Sequence, residues 1–220
     1  MSLKILFLDE LKGFYKSKVM IILWVGMPLL SLLFHYIVPD TEGIPISSIV
    51  AIIFSSIGGM LASAMLSTSI ASEKIRHVYD LFLIRPVRRT NILLAKFFAV
   101  YLCLIIATGI SLVVGLIIDQ LTIGTLPEYV IDQTIESLSI SLAAMAISCS
   151  IGIFFGVMVS SVPVAAILSV YLGNQLSAIS ILPTLLIDFI DPIIYSLLLG
   201  SIVPAIILII SITIFARKQF

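Results

Sequence analysis

Six apolar runs, at about 19–38, 47–70, 92–118, 137–159, 164–182 and 193–215, occupy most of this 220-residue chain. Roughly 20 consecutive apolar residues carry a helix across the hydrocarbon of a bilayer. Only a segment whose backbone hydrogen bonds close internally is stable there, so each run predicts a helix rather than a strand. The expected fold class is therefore an all-α polytopic membrane protein, with six transmembrane helices in a single domain, 1–220. Composition points the same way. Hydrophobic residues make up 60% of the chain and charged residues 11%, whereas a soluble domain carries about 25% charged residues. Spans and short connections use up the length, which leaves no room for an aqueous catalytic domain.

Charge supplies the topology. All 12 Lys and Arg residues fall in residues 1–18, in 74–96 or at Arg217–Lys218. Six spans place these segments, and the turn at 160–163, on one side of the membrane. The other side receives Asp40, Glu42, Asp119, Glu128, Asp132, Glu136, Asp188 and Asp191 and no basic residue. Basic loops stay cytoplasmic, so both termini are expected in the cytoplasm of a plasma-membrane protein. Residues 1–18 set Leu3, Phe7, Leu11 and Phe14 against Lys4, Asp9, Glu10, Lys12, Lys16 and Lys18. That pattern predicts an interfacial helix resting on membrane lipids.

The segment 71–91 is the longest charged interruption. Within it Ile75, Val78, Tyr79 and Phe82 recur at i, i+3, i+4 and i+7, one face of a helix. Lys74, His77 and Asp80 fall largely off that face, and Pro86 ends it. Two readings stay open on physical grounds: a loop helix lying on anionic headgroups, or a docking element for a soluble partner.

Two rows of small residues recur at every fourth position: Ser55, Gly59, Ser63, Ser67 and Ala71 in span two, and Ala144, Ser148, Gly152, Gly156 and Ser160 in span four. In lipid, close packing at such rows is what holds helices together. Thr90 or Asn91 reads as the cap of span three, 119–136 as an acidic loop, and 183–192 as an outer stretch that dips back toward the membrane. Asn174 and Gln175, with Tyr171 a turn earlier, read either as interhelical hydrogen-bonding groups or as the lining of a translocation path. Cys103 and Cys149 read as small buried hydrophobes.

Chemistry-bearing patterns are few. No G-x-x-x-x-G-K-[ST] loop is present, so the chain itself binds no ATP by that route. No H-E-x-x-H occurs, and His35 and His77 fall on opposite sides. The sequence thus offers no catalytic residue, metal ligand, resident cofactor or nucleic-acid motif. An intramembrane protease built on Ser111 and His35 is a remote alternative, since serine in a membrane helix is ordinarily hydrogen-bonding glue. No charge is expected at the centre of a span, which weighs against an ion-coupled carrier.

The run Glu73–Lys74, Leu81–Phe82–Leu83, Pro86–Val87–Arg88–Arg89, Ile92–Leu93–Leu94–Ala95–Lys96 resembles the signature of ABC-2 type permeases, the membrane subunits of a class of ABC exporters. Where that family often continues Glu-Lys-Glu-Arg-Gly-Thr, this chain has Ile75, Arg76, His77 and Val78. The resemblance implies a permease that pairs with a second permease chain and with two ABC ATPase subunits, which hold the ATP and Mg. It implies a cytoplasmic coupling helix from about residue 72 to 85, with Glu73, Lys74, Arg76, His77, Tyr79, Phe82 and Arg85 as the ATPase-coupling residues. It also implies a dimer contact or translocation path through spans one and five, at Gly26, Tyr171, Asn174 and Gln175. A stand-alone channel or ion-coupled carrier is the alternative.

Overall fold

The structure, a computed structural model, describes residues 3–37, 46–76, 89–123, 127–186 and 191–217. These form seven helices: α1 (Leu3–Tyr15), α2 (Lys18–Ile37), α3 (Ile46–Ile75), α4 (Arg89–Ile123), α5 (Glu128–Met158), α6 (Val162–Leu186) and α7 (Pro192–Arg217). No strand occurs among the described residues. Five stretches are long and apolar enough to cross a membrane: Ile49–Ile75, Thr90–Leu121, Glu128–Met158, Val162–Ser180 and Pro192–Arg217. The α1–α2 pair passes the same test as a unit bent by 65°. Ser17 makes that bend. Its Oγ accepts the Met20 amide at 3.2 Å and its carbonyl accepts that of Ile21, so it ends one helix and caps the next.

Several helices outrun their apolar windows. α4 runs from Arg89 to Ile123, so Thr90 and Asn91 lie inside its first turn rather than capping it. α4 reaches Ile123 and α5 begins at Glu128, so Asp119, Glu128, Asp132 and Glu136 are helical rather than part of the expected 119–136 loop; 124–126 lie outside the described residues. α6 continues through Pro183 to Leu186, so the expected dip begins as helix; 187–190 lie outside the described residues. In α4 and α5 hydropathy falls where charge begins, but the i→i−4 hydrogen bonds do not stop there; in α6 the helix continues past Pro183 over uncharged residues. α3 likewise extends to Ile75, so the first residues assigned to the coupling helix continue span two.

α5 is the axis of the bundle, wrapped by α3, α6, α7 and α4. Its packing follows from the two small-residue rows, which meet each other. A Cβ on Gly152 would lie 2.6 Å from the Ser63 carbonyl oxygen, one on Gly156 3.1 Å from Ser67 Cα, and one on Gly59 2.8 Å from Ser148 Oγ. Both numbers of each pair rise together, so α3 and α5 run parallel. Hydroxyls knit α6 into the same seam. Ser67 Oγ and Ser169 Oγ are 2.8 Å apart, Ser148 donates to the Gly173 carbonyl at 3.3 Å, and Ser56 donates to Asn174 Oδ1 at 3.2 Å. Here one number rises as the other falls, so α6 is antiparallel to α3. Ser196 donates to Ser139 and Gly200 abuts Ala143, which sets α7 parallel to α5.

The bundle is small and hydroxyl-rich inside and apolar outside. Ala144, Ser148, Ser150 and Gly152 of α5 are buried, while Ile22 and Val25 of α2, Ile167 of α6 and Leu197 and Ile209 of α7 are more than half exposed. That is the distribution expected where the surroundings are hydrocarbon. Both cysteines are buried thiols.

Candidate functional site: an ion cluster beneath the basic segment

Lys96 lies two turns into α4 and is 1% exposed. A lysine is almost never buried so completely without partners. Its ammonium is 2.7 Å from Glu73 Oε1, 2.9 Å from Glu10 Oε1 and 3.3 Å from Ser69 Oγ. Three donors thus meet three acceptors, which satisfies the group. The Phe14 ring sits 5.8 Å away as a further contact. Ser69 in turn donates to Glu73 at 3.1 Å, holding the carboxylate in place.

Three elements supply these groups. Glu10 comes from α1, Ser69 and Glu73 from the last turns of α3, and Lys96 from the first turns of α4. Of the apolar side expected for α1, Phe14 is buried and Phe7 and Leu11 pack against the core, but the inward face also takes in Leu6 and Glu10. Leu6 and Phe14 are buried, Leu3 is exposed, and Glu10 points between them toward Lys96 rather than joining the polar sector. Spacing explains this, since Leu6, Glu10 and Phe14 form an i, i+4, i+8 row on one helix face. The cluster faces a cavity of about 440 Å³, also bordered by Ser17 and Ser72.

Two carboxylates share one ammonium. Burial pushes the Glu10 carboxyl above the usual value; Lys96 opposes that shift, and the charges of Glu73 and Asp9 add to it. The arrangement is electrostatic and mechanical. It ties together α1, the outgoing end of α3 and the incoming end of α4, which bracket residues 77–88.

Other residues singled out by sequence are distributed as follows. Lys74 reaches the end of α5, 3.4 Å from the Val157 carbonyl and 3.4 Å from Ser160 Oγ, where a cation complements the helix C-terminus. Arg76 is exposed just beyond α3, its amide bonded to the Ser72 carbonyl. His77, Tyr79, Phe82 and Arg85 lie outside the described residues. Asn174 accepts the interhelical bond from Ser56, while Tyr171 and Gln175 are exposed. Tyr171 and Asn174 border an outward groove of about 480 Å³ between α3 and α6. Gly26 faces open space on α2, and α2 and α6 share no contact among the described residues, so Gly26 is not brought to the other three. Ser111 donates to the Ala107 carbonyl of its own helix.

Sequence reasoning passed over Glu10 and Lys96 as site residues. For Lys96 a signal existed: a lone cation between Ile92–Leu93–Leu94–Ala95 and Phe97–Phe98 demands a buried partner. Lys96 and Asp119, each 1% exposed, lie toward the two ends of the Thr90–Leu121 span rather than at its centre. No family model matches the chain, and no curated protein matches it.

Proposed function

We propose that this chain is the membrane-embedded permease subunit of an ATP-driven exporter of the ABC-2 type, crossing the membrane six times with both termini in the cytoplasm. One observation carries the reading beyond the sequence resemblance. The segment expected to dock on an ATPase is rooted in the Glu10–Lys96–Glu73 cluster, so a push on it reaches α1, α3 and α4 together. A rigid-body rearrangement of packed helices needs such a common anchor. In this mechanism Arg76, His77, Tyr79, Phe82 and Arg85 present the docking surface, and Glu73 and Lys74 fasten its root to the bundle. The outward groove at Tyr171 and Asn174, and the open face at Gly26, are where a second permease chain or the cargo meets this one. ATP and Mg belong to the partner subunit.

The test separates docking from anchoring. Phe82→Asp should abolish co-purification with the co-expressed ABC ATPase partner and leave the permease folded. Glu73→Gln should preserve co-purification but lower ATP-driven transport per ATP hydrolysed. Substrate flux in ATPase-free liposomes at the rate of the complex would overturn the proposal in favour of a channel or ion-coupled carrier. So would ATPase binding untouched by Phe82→Asp.

A further inference from the structure

A second pocket, of about 300 Å³, opens on the far side of α1 from the ion cluster, between α1, α2 and α4. Leu11, Trp24, Leu102, Cys103 and Ile106 form its apolar walls, and Lys12 and Lys16 stand at its rim. Lys12 and Lys16 are one turn apart on the same helix face, and both are exposed. Glu10 lies on the opposite face of α1, paired with Lys96, so Asp9 is the carboxylate of α1 that shares the face of the two lysines. Even so, neither lysine has an ion-pair partner among the described residues. The pocket also contains the ring of Trp24, packed edge-on against Tyr15 at 5.1 Å. Its Nε1 is the one buried side-chain nitrogen or oxygen lacking a hydrogen-bond partner among the described residues. A buried indole N–H ordinarily has an acceptor; none of the described residues provides one.

We infer that this pocket is a binding site for an anionic phospholipid, whose phosphate sits between Lys12 and Lys16 and whose acyl chain runs down the groove over Leu102 and Ile106. On α4 the wall of the groove runs from Leu102 to Ile106, about 6 Å along the helix axis, so it grips the part of an acyl chain nearest the headgroup. Basic pockets between helices on the cytoplasmic side suit anionic headgroups. A free anion would satisfy the lysines but leave the apolar walls bare, which is why the occupant is a lipid. Because α1 also carries Glu10, a lipid seated here would fix the helix that completes the ion cluster. The inference rests on the membrane-embedded part of the reading above and not on the ATPase, so either can fail alone.

The chain contains a single tryptophan, so its intrinsic fluorescence reports on this pocket. The full-length protein is reconstituted in phosphatidylcholine vesicles containing equal mole fractions of either dibrominated phosphatidylglycerol or dibrominated phosphatidylcholine. The anionic lipid should quench Trp24 more strongly, and the preference should shrink as salt is raised. Lys12→Gln or Lys16→Gln should each weaken the relative affinity about five-fold, and the double variant should abolish the preference. Equal quenching by the two lipids in the wild type overturns the proposal without recourse to any variant. A preference indifferent to salt or to the double substitution overturns it too. A fluorescence shift produced by inorganic phosphate in detergent, without anionic lipid, would reassign the site to a soluble anion.

Discussion

Lys96 is costly to bury, and the cost is offset only while both carboxylates face it. Removing one member of a buried ion pair leaves an uncompensated charge, at a cost of about 3–5 kcal/mol. Lys96→Met should therefore lower the melting temperature in detergent sharply, because it strands Glu10 and Glu73 beside each other. Adding Glu10→Gln and Glu73→Gln to that variant should recover much of the loss, since an apolar or neutral filling is tolerated where a lone charge is not. The two carboxylates are not equivalent. Glu73 is held by Ser69 as well as Lys96, whereas the Glu10 carboxyl is raised above its ordinary value by burial. A raised folded-state value means that the folded protein holds this proton more tightly than the unfolded chain does. Its contribution to stability is complete below the ordinary carboxylate range and is lost as pH rises through the raised value. A pH series of melting temperatures should show wild-type stability falling across the window just above the ordinary value of 4.5. Glu10→Gln should remove that component; an unchanged slope in the variant would show that Glu10 is not the titrating group.

The crossing of α3 and α5 depends on what lies opposite each glycine, and the neighbours differ in their freedom to move. At Gly152 an added Cβ meets the Ser63 backbone at 2.6 Å, and a helix backbone cannot rotate aside. At Gly59 it meets Ser148 Oγ at 2.8 Å and Ser148 Cβ at 3.2 Å, where the hydroxyl can turn away. At Gly109 nothing lies within 4 Å. Gly152→Ala should therefore cost about 1–3 kcal/mol by overpacking and Gly59→Ala less. Gly109→Ala should be neutral or stabilising, by up to about 1 kcal/mol of helix propensity. Thermal melts of the three variants check the order. This crossing was legible in the sequence because residue size at every fourth position is a property of the residues themselves. The sequence could not say that the two rows face one another, nor that Ser169 and Asn174 of α6 would complete the seam. The ion cluster was hidden for another reason. Glu10, Glu73 and Lys96 belong to three different helices, and nothing in the pattern of α1 sets Glu10 apart from its other charged residues until Lys96 demands a carboxylate. Helix ends were misjudged wherever acidic residues continue a helix, as at Glu128 and Asp132.

Across the whole molecule, α3, α5 and α7 point one way and α4 and α6 the other, an alternation read from side-chain pairings rather than from hydropathy. It gathers the end of α3, the start of α4, the turn after α5 and the end of α7 at one pole, with Lys74, Arg76, Lys96 and Arg217. Lys74 touching Ser160 joins two of these segments directly. Glu128 and Asp132 open α5 at the other pole. Glu128 and Ser160 are separated by the length of α5, 31 residues, or about 46 Å of helix. The hydrocarbon core is about 30 Å thick, so a helix standing in it must put these residues on opposite faces. Under the topology proposed above, the basic pole is the cytoplasmic one. Single cysteines at Arg76, Ser160 and Glu128 test this against a low background, because Cys103 and Cys149 are 1% and 0% exposed. In sealed vesicles of known orientation, a membrane-impermeant maleimide should label Arg76→Cys and Ser160→Cys from the cytoplasmic face and Glu128→Cys from the opposite face. Labelling of Arg76→Cys and Ser160→Cys from different faces would break the parallel pairing of α3 and α5. Labelling of all three from one face would show that α5 does not cross, and the coupling of a cytoplasmic segment to a membrane-spanning bundle would lose its physical basis.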